Sequence, residues 1–378
     1  MRRKPVATSR RICFVTGSRA EFGLMRSVLQ SIRSHRRLKL QIVATGMHLS
    51  ARHGRTVAKI DADRIVPWRG ESLAAATGNA VAGLSRAFAA LRPDIVLVVG
   101  DRVEALAAAT AAHLRGIPIA HVHGGDRALG QVDDCLRQAI SKLSHIHFPA
   151  TVGSARRLWR MGEDHWRVHA VGSPGIDDIR VIAAPPSQLT AQFPTLVKHR
   201  FALLLLHPVD ADESLEFRRA RMVLRTLVRS GIDHIVIVYP NNDPGSGGII
   251  RCWRERAREE RLVVRRDVER TLFLGLLRDA ALLVGNSSSG IIEAASFATP
   301  VIDIGPRQLG RQRSGNVLDV PYQAGKIDAA IRRIWRAGRP VRLSCRNVYG
   351  GGGAGRRIAK ILARQKINAR LLRKIISY

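Results

Sequence analysis

Two series of short, nearly continuous apolar runs constrain this chain most. Each run ends in a polar or glycine-bearing turn and gives way to a stretch with apolar residues at helical spacing. The first series is RICFVTG (11–17), LKLQIVATG (38–46), DIVLVVGD (94–101), IPIAHVHGG (117–125), HIHFPAT (145–151) and RVHAVGS (167–173). The second is FALLLLHPV (201–209), HIVIVYP (234–240), ALLVGNS (281–287) and PVIDIG (300–305). Strands that are apolar on both faces and joined by helices belong in parallel sheets covered on both sides. Between the series, IAAPPSQLTAQFPTLVKHR (182–200) carries three prolines and no strong periodicity, so it reads as a linker. A chain of 378 residues is long enough for two cores. The expected fold is therefore α/β, two Rossmann-like domains in tandem, residues 1–180 and 200–355.

Composition narrows the function classes. Apolar residues make up 46% and charged residues 24%, as in a globular enzyme. No run approaches the length of a membrane helix, and the basic start MRRKPVATSRR leads into an apolar stretch too short for a signal peptide. Cys13, Cys135, Cys252 and Cys345 are far apart and form no C-x-x-C pair, which fits a reducing cytoplasm and gives no zinc pattern. The net charge of +32 draws polyanions. It arises from arginines scattered along the chain, only 5% of residues are aromatic, and no nucleic-acid recognition pattern is present. The composition therefore argues against nucleic acid as the partner.

Ligands of doubly wound sheets bind beyond the carboxyl ends of the strands, and a cleft between two domains is the usual place for a small molecule. The strand ends therefore hold the candidate site. After the first run stand Gly17, Ser18, Arg19 and Glu21, either a phosphate-binding turn or a capped βα turn. After DIVLVVG stand Asp101, Arg102 and Glu104, with Asp101 either a helix N-cap or a site carboxylate. GDRALGQVDDCLRQAISKLSHIH (125–147) follows His121 and His123 and puts Asp126, Asp133 and Asp134 within nine positions of a basic chain. A helix starting near Asp133 would carry Arg137 one turn on, facing the same side. His121 and His123 share strand parity, so their side chains should point the same way. Metal binding by these His and Asp side chains is a rival reading, but the spacing fits no metal motif.

In the second series, His207 ends a strand and Asn241 lies in a polar, glycine-rich loop. In GNSSSGIIEA, Ser287 and Ser288 offer hydroxyls and N–H groups for a diphosphate, and Glu293 can accept from ribose hydroxyls. Arg307, Arg311 and Arg313 follow the next strand. No G-x-x-x-x-G-K or G-x-G-x-x-G pattern is present, so nucleotide diphosphate-sugar binding fits better than ATP or dinucleotide binding.

Nine ordered motifs, GSRAEFG, GDRVE, HVHGGD with VDD and RQAISKLSH, VGSPGIDDI, HPV, YPNNDPGS, GNSSSGIIEA, IGPRQLGRQR and NVYGGGGAGRRIAKIL, fall in order within residues 11–364. Together they resemble the hydrolysing UDP-N-acetylglucosamine 2-epimerases of sialic and related nonulosonic acid synthesis. The resemblance implies a glycosyltransferase-B-like fold with UDP held mostly by the second domain. It also implies a cytoplasmic homo-oligomer, dimer or tetramer, that needs no cofactor and no metal. The implied reaction is anti elimination of UDP with loss of the C2 proton, then addition of water to a 2-acetamidoglucal. By position, Asp101, Asp133 and Asp134 match the family's acids, and His207 its second-domain histidine. Arg19, Arg102, Ser287, Ser288, Glu293 and Arg307 match its UDP-binding set, Arg137 supports the acid pair, and Asn241 and Arg313 join the substrate contacts.

The chain departs from its relatives at His123, where animal homologues have an acid, and at Asp126, where many have glutamate. Residues 356–378 are expected to form a C-terminal helix that crosses back to the first domain, with the basic tail RQKINARLLRKIISY running past the family pattern. Two other substrates or outcomes stay open: UDP-2,4-diacetamido-2,4,6-trideoxyglucose of the legionaminic acid pathway, and the non-hydrolysing reaction.

Overall fold

The apolar runs form two six-stranded parallel sheets in a computed structural model that describes residues 9–50, 55–127, 133–241, 243–336 and 338–375. The first sheet contains β1 (Arg10–Thr16), β2 (Leu38–Ala44), β3 (Arg64–Ile65), β4 (Ile95–Val99), β5 (Ile119–Val122) and β6 (Ile146–Phe148), in the order β3-β2-β1-β4-β5-β6. The second contains β7 (Phe201–Leu205), β8 (His234–Val238), β9 (Leu262–Arg265), β10 (Leu282–Gly285), β11 (Val301–Ile304) and β12 (Val317–Val320), in the order β12-β11-β10-β7-β8-β9. Each sheet runs outward from its first strand, then restarts on that strand's other side. This is the doubly wound order, and the crevice for a ligand lies where the order reverses. The reversal falls between β1 and β4 in one sheet and between β7 and β10 in the other.

Among the described residues, 9–127, 133–177 and 349–375 form one compact unit and 178–348 a second. In the first unit, alternate residues of β1 enter different cores, as the period of a strand requires. Ile12 and Phe14 pack with Val28, Leu29 and Ile32 of helix Arg26–Arg33, whereas Cys13 and Val15 pack with Leu84 and Phe88 of helix Leu73–Leu91. All five side chains of β4 are buried, each contributing about 1.5–3 kcal/mol of transfer free energy. Helix Ala354–Arg364 completes the first of these cores with Ile358, Ala359, Leu362 and Ala363. The Asp177 carboxylate accepts from the first N–H groups of that helix, Ala354 at 2.9 Å and Gly355 at 2.7 Å.

In four places the fold departs from the sequence reading. RVHAVGS is not a strand. It makes a single bridge, His147 to Val168, before Gly172 turns the chain at φ 87°. The stretch read as a linker contains helix Pro186–Gln192, with proline at its first position, and its Leu189 packs with Phe193, Leu276 and Leu277 in a core of the second unit. The three strands missed in the sequence, β3, β9 and β12, are all edge strands, short and exposed or half-buried over most of their length, so no long apolar run marks them. β5 stops at Val122, and His123 adopts a left-handed φ of 64°, so strand parity does not hold for the two histidines.

Candidate active site

The end of β4 and the loop after β5 form one polar network in the first unit. Arg137, buried in helix Asp133–Leu143, forms an ion pair with the Asp101 carboxylate and donates to the His123 carbonyl at 3.2 Å. The sequence reading gave Arg137 to the acid pair at the start of its own helix, but its described carboxylate partner is Asp101. Asp101 is not a helix cap: helix Val103–Leu114 has Arg102 at its N-cap with no side-chain hydrogen bond, which leaves the carboxylate to Arg137. Asp134 is partly exposed one turn before Arg137. The Asp133 side chain lies outside the described residues, although its backbone opens the helix.

His123 and Asp126 form a buried pair. Asp126 Oδ2 accepts from His123 Nδ1–H at 2.7 Å, and its Oδ1 accepts from Ser154 Oγ–H at 2.7 Å. Burial alone would raise the Asp126 pKa, but His123, Arg137 and Ser154 outweigh it and hold the carboxyl well below the usual range. Asp126 is therefore ionised and keeps the ring proton on Nδ1. The other ring nitrogen, Nε2, faces Ser173 Oγ at 3.2 Å, and that oxygen also accepts from Gly175 N–H at 3.3 Å. With the ring proton on Nδ1, His123 Nε2 accepts from the serine hydroxyl. The left-handed backbone at His123 costs about 1–3 kcal/mol, the kind of strain that collects at functional sites. Gly125, at φ 71°, holds the loop against helix Val152–Arg160, since a Cβ there would sit 2.4 Å from the Ser154 carbonyl.

His121 has a different task. Its Nε2–H donates to the Gly100 carbonyl at 2.8 Å, so Nδ1 accepts from Ser141 Oγ–H at 3.1 Å. Burial pushes its pKa down to about 3, so the ring stays neutral and ties the Gly100–Asp101 turn to helix Asp133–Leu143.

The turn after β1 is less open to phosphate than its sequence suggests. Ser18 Oγ accepts from Glu21 N–H at 3.3 Å, and Glu21 accepts from Gly17 N–H at 2.8 Å. These two donors are therefore spent on capping the six-residue helix Arg19–Leu24. Arg19 itself is exposed. Arg102 is gripped by both oxygens of buried Glu104, at 3.0 and 3.1 Å, so Glu104 sets the direction of that guanidinium. Burial and the nearby Glu104 charge push Glu21 up to about 7.

In the second unit the site gathers at the reversal between β7 and β10. Buried Asn286 brackets the backbone of His207, accepting from its N–H at 2.7 Å and donating to its carbonyl at 2.8 Å. Gly285 before it, at φ 136°, is required because a Cβ would meet the Leu205 carbonyl at 1.9 Å. Asn241 meets His207 Nδ1 twice, with its backbone N–H at 3.1 Å and its side-chain Oδ1 at 3.2 Å, so it holds the ring in place. Burial and the Arg307 charge push the His207 pKa down to about 4. Arg307 donates to the Asn286 carbonyl at 3.2 Å and lies 3.7 Å from Asp243. Ser287 caps the short helix Ser288–Ile292, accepting from Ser289 N–H, and Ser288 is its first residue. Buried Glu293 pairs through Oε1 with Arg270 at 2.6 Å, while its Oε2 is buried with no partner among the described residues. That orphaned oxygen suits a hydroxyl donor from a ligand.

Arg313 has no nitrogen to spare. It binds Asp303 at 2.9 Å, Asp319 at 2.6 Å and the carbonyls of Gln308 and Arg311, so it holds the loop after β11.

Sequence reasoning missed Ser154, which lies in no motif, and Ser173 and Asn286, whose only signal was a place inside motifs. Among the described residues, no group of three or more His, Cys, Asp or Glu side chains is placed to hold a metal ion. No helix of the described residues is long and apolar enough to cross a membrane.

Known proteins match this arrangement along nearly the whole chain. The sequence pattern of the UDP-N-acetylglucosamine 2-epimerase family matches residues 30–363. A Legionella pneumophila protein described as UDP-N,N'-diacetylbacillosamine 2-epimerase (hydrolyzing) is 36% identical over 98% of this chain and 100% of its own length. A Neisseria meningitidis UDP-N-acetylglucosamine 2-epimerase is 33% identical over 87% of this chain and 89% of its own. Among solved structures, UDP-GlcNAc 2-epimerase from Neisseria meningitidis bound to UDP-GlcNAc superposes with a TM-score of 0.82 at 20% identity, covering 94% of this chain and all of that one. The Methanocaldococcus jannaschii enzyme in complex with UDP-GlcNAc and UDP gives 0.77 at 18% identity, again covering 94% of this chain and all of that one. These structures share the fold, two Rossmann-like domains of the glycosyltransferase-B-like class. On the sequence match across residues 30–363, this chain belongs to the UDP-N-acetylglucosamine 2-epimerase family.

Proposed function

We propose that the protein is a hydrolysing UDP-sugar 2-epimerase, which releases UDP and a free 2-acetamido sugar inverted at C2. The observation that carries hydrolysis is the end-to-end likeness to the Legionella protein described as hydrolyzing. The same likeness favours UDP-N,N'-diacetylbacillosamine, the 2,4-diacetamido-2,4,6-trideoxyglucose derivative, as substrate. UDP-GlcNAc is the second reading, favoured by the Neisseria relative.

The chemistry asks for what the two sets of strand ends supply. A C2–H is a weak acid until the C1–oxygen bond loosens, so carboxylates must both take the proton and stabilise positive character on the ring. In this reading Asp101, Asp133 and Asp134 supply those carboxylates, with Arg137 fixing Asp101. The His123–Asp126 pair carries a proton at Nε2 in the hydration half of the reaction, where other family members place an acid. UDP needs cations for its departing charge and acceptors for its ribose. Arg307 and Arg19 supply charge, Ser287 and Ser288 hydroxyls, and the unpaired Oε2 of Glu293 a ribose acceptor. His207, held neutral, presents a polar ring to the diphosphate without adding charge. Arg102, set by Glu104, is a further cation for the substrate, and Asn241 orients His207.

The test is to incubate the protein with each UDP-sugar and follow UDP and free sugar separately. Free UDP together with the free C2 epimer is the expected result. A product that keeps its UDP would assign the non-hydrolysing reaction, and no turnover of either sugar would overturn the proposal.

A further inference from the structure

The basic tail does not trail away from the first unit. Asn368 caps the short helix Ala369–Leu372, whose Leu371 is fully buried in the core of β1, β4 and β5. The Arg167 guanidinium donates to the carbonyls of Arg370 and Leu371, each at 2.9 Å, and to that of His145 at 3.2 Å. This docking delivers Lys374 to the carboxyl end of helix Asp133–Leu143. There its ammonium donates to the carbonyls of Ser141 at 3.1 Å, Lys142 at 2.8 Å and Ser144 at 2.8 Å. The last carbonyls of a helix lack intrahelical partners, and a cation there also meets the negative end of the helix dipole. Lys374 lies 2.6 Å from Glu163 Oε1, and Glu163 Oε2 accepts from His147 Nε2–H of β6 at 2.9 Å.

We infer that Lys374 is a positioning residue for the reaction, holding the helix that carries the acid pair and, through it, the turn that carries Asp101. The connection is continuous. Lys374 binds the Ser141 carbonyl, Ser141 Oγ binds His121, His121 binds the Gly100 carbonyl, and Asp101 is the next residue. From the same helix Arg137 reaches Asp101 directly. An eleven-residue helix is a rigid rod about 16 Å long, so fixing its far end fixes the height and rotation of Arg137 and Asp134 at the near end. Burial of the ammonium among carbonyls, opposed by Glu163, brings the Lys374 pKa down to about 8, which marks a closely fitted group rather than a solvated surface lysine. The sequence offered no function for this tail; the structure ties it to the acids.

The inference rests on the catalytic roles proposed above, so its test reads the latch in two ways. For Lys374→Met, amide hydrogen exchange across residues 137–144 should speed at least tenfold. UDP release from UDP-N,N'-diacetylbacillosamine or UDP-GlcNAc should lose ten- to a hundredfold in kcat with KM within threefold. Lys374→Arg should recover part of that kcat. Ser141→Ala, which keeps the capped carbonyl but cuts the link to His121, should lower kcat about tenfold without changing KM and serves if Lys374→Met fails to fold. A folded Lys374→Met with wild-type exchange and kcat within twofold would overturn the inference, as would a fully active Ser141→Ala. If the wild-type protein turns over neither sugar, the function proposal fails, while the exchange measurement still decides whether the tail holds the helix.

Discussion

Removing Arg137 is the sharpest perturbation of the first unit's network. Its guanidinium is buried, and the Asp101 side chain it pairs with is 22% exposed, so Arg137→Met leaves a carboxylate that water reaches only in part. Breaking a buried pair by removing one partner costs about 3–5 kcal/mol, and partial exposure of Asp101 places the expectation near the low end, about 3 kcal/mol. For a unit of this size that corresponds to a fall in Tm of about 6–12 °C. The His123 carbonyl loses its donor in the same variant, so part of the cost does not belong to Asp101. A double-mutant cycle with Asp101→Asn separates the two, and its coupling should be about 1.5–3 kcal/mol from thermal or urea unfolding. UDP release should fall at least a hundredfold in either single variant, and the double variant should be little worse than Asp101→Asn. A coupling below about 0.5 kcal/mol would refute the claim that Arg137 acts through Asp101, because groups in direct contact cannot be that independent.

Three further outcomes follow from the same geometry. Asp126→Asn keeps the shape but removes the charge that fixes the Nδ1–H tautomer of His123, so kcat for UDP-sugar hydrolysis should fall about 10²–10⁴-fold with little change in KM, read by steady-state kinetics. Glu293→Gln should raise the Kd for UDP about 10–100-fold by calorimetry, because a charged acceptor contributes about 1.5–3 kcal/mol, and Arg270→Met should raise it less. Glu21 has its pKa raised from 4.5 to about 7, so the native state holds this proton more tightly than the unfolded chain. Its contribution to stability therefore falls as pH rises from about 4.5 to 7 and is flat above that. Glu21→Gln, which can still cap Gly17, should remove that slope in urea titrations and stabilise the protein at pH 8.

The strands that bear the site were legible because they are central and apolar on both faces. β4 and β7 read directly from DIVLVVG and FALLLL, and the residues after them, Asp101 and His207, fall at the points where the sheet order reverses. What was not legible depended on contacts distant in sequence. Nothing near Arg137 says that it pairs with a carboxylate 36 positions away. The alternation of His121 and His123 misled for a local reason, since β5 ends between them and a left-handed residue turns the chain. Arg313 looked like a substrate cation because its partners Asp303 and Asp319 sit on neighbouring strands, which a linear reading cannot pair. The tail carried no motif at all; only its docking beside Glu163 gives Lys374 a purpose.

The measurement that tests the central claim most directly is product analysis by NMR after reaction in D₂O with UDP-N,N'-diacetylbacillosamine and with UDP-GlcNAc. Loss of the C2 proton followed by hydration requires one solvent deuteron at C2, inverted configuration there, and UDP released in equal amount. A free sugar that keeps its original C2 proton would contradict the account, and so would an epimer still attached to UDP.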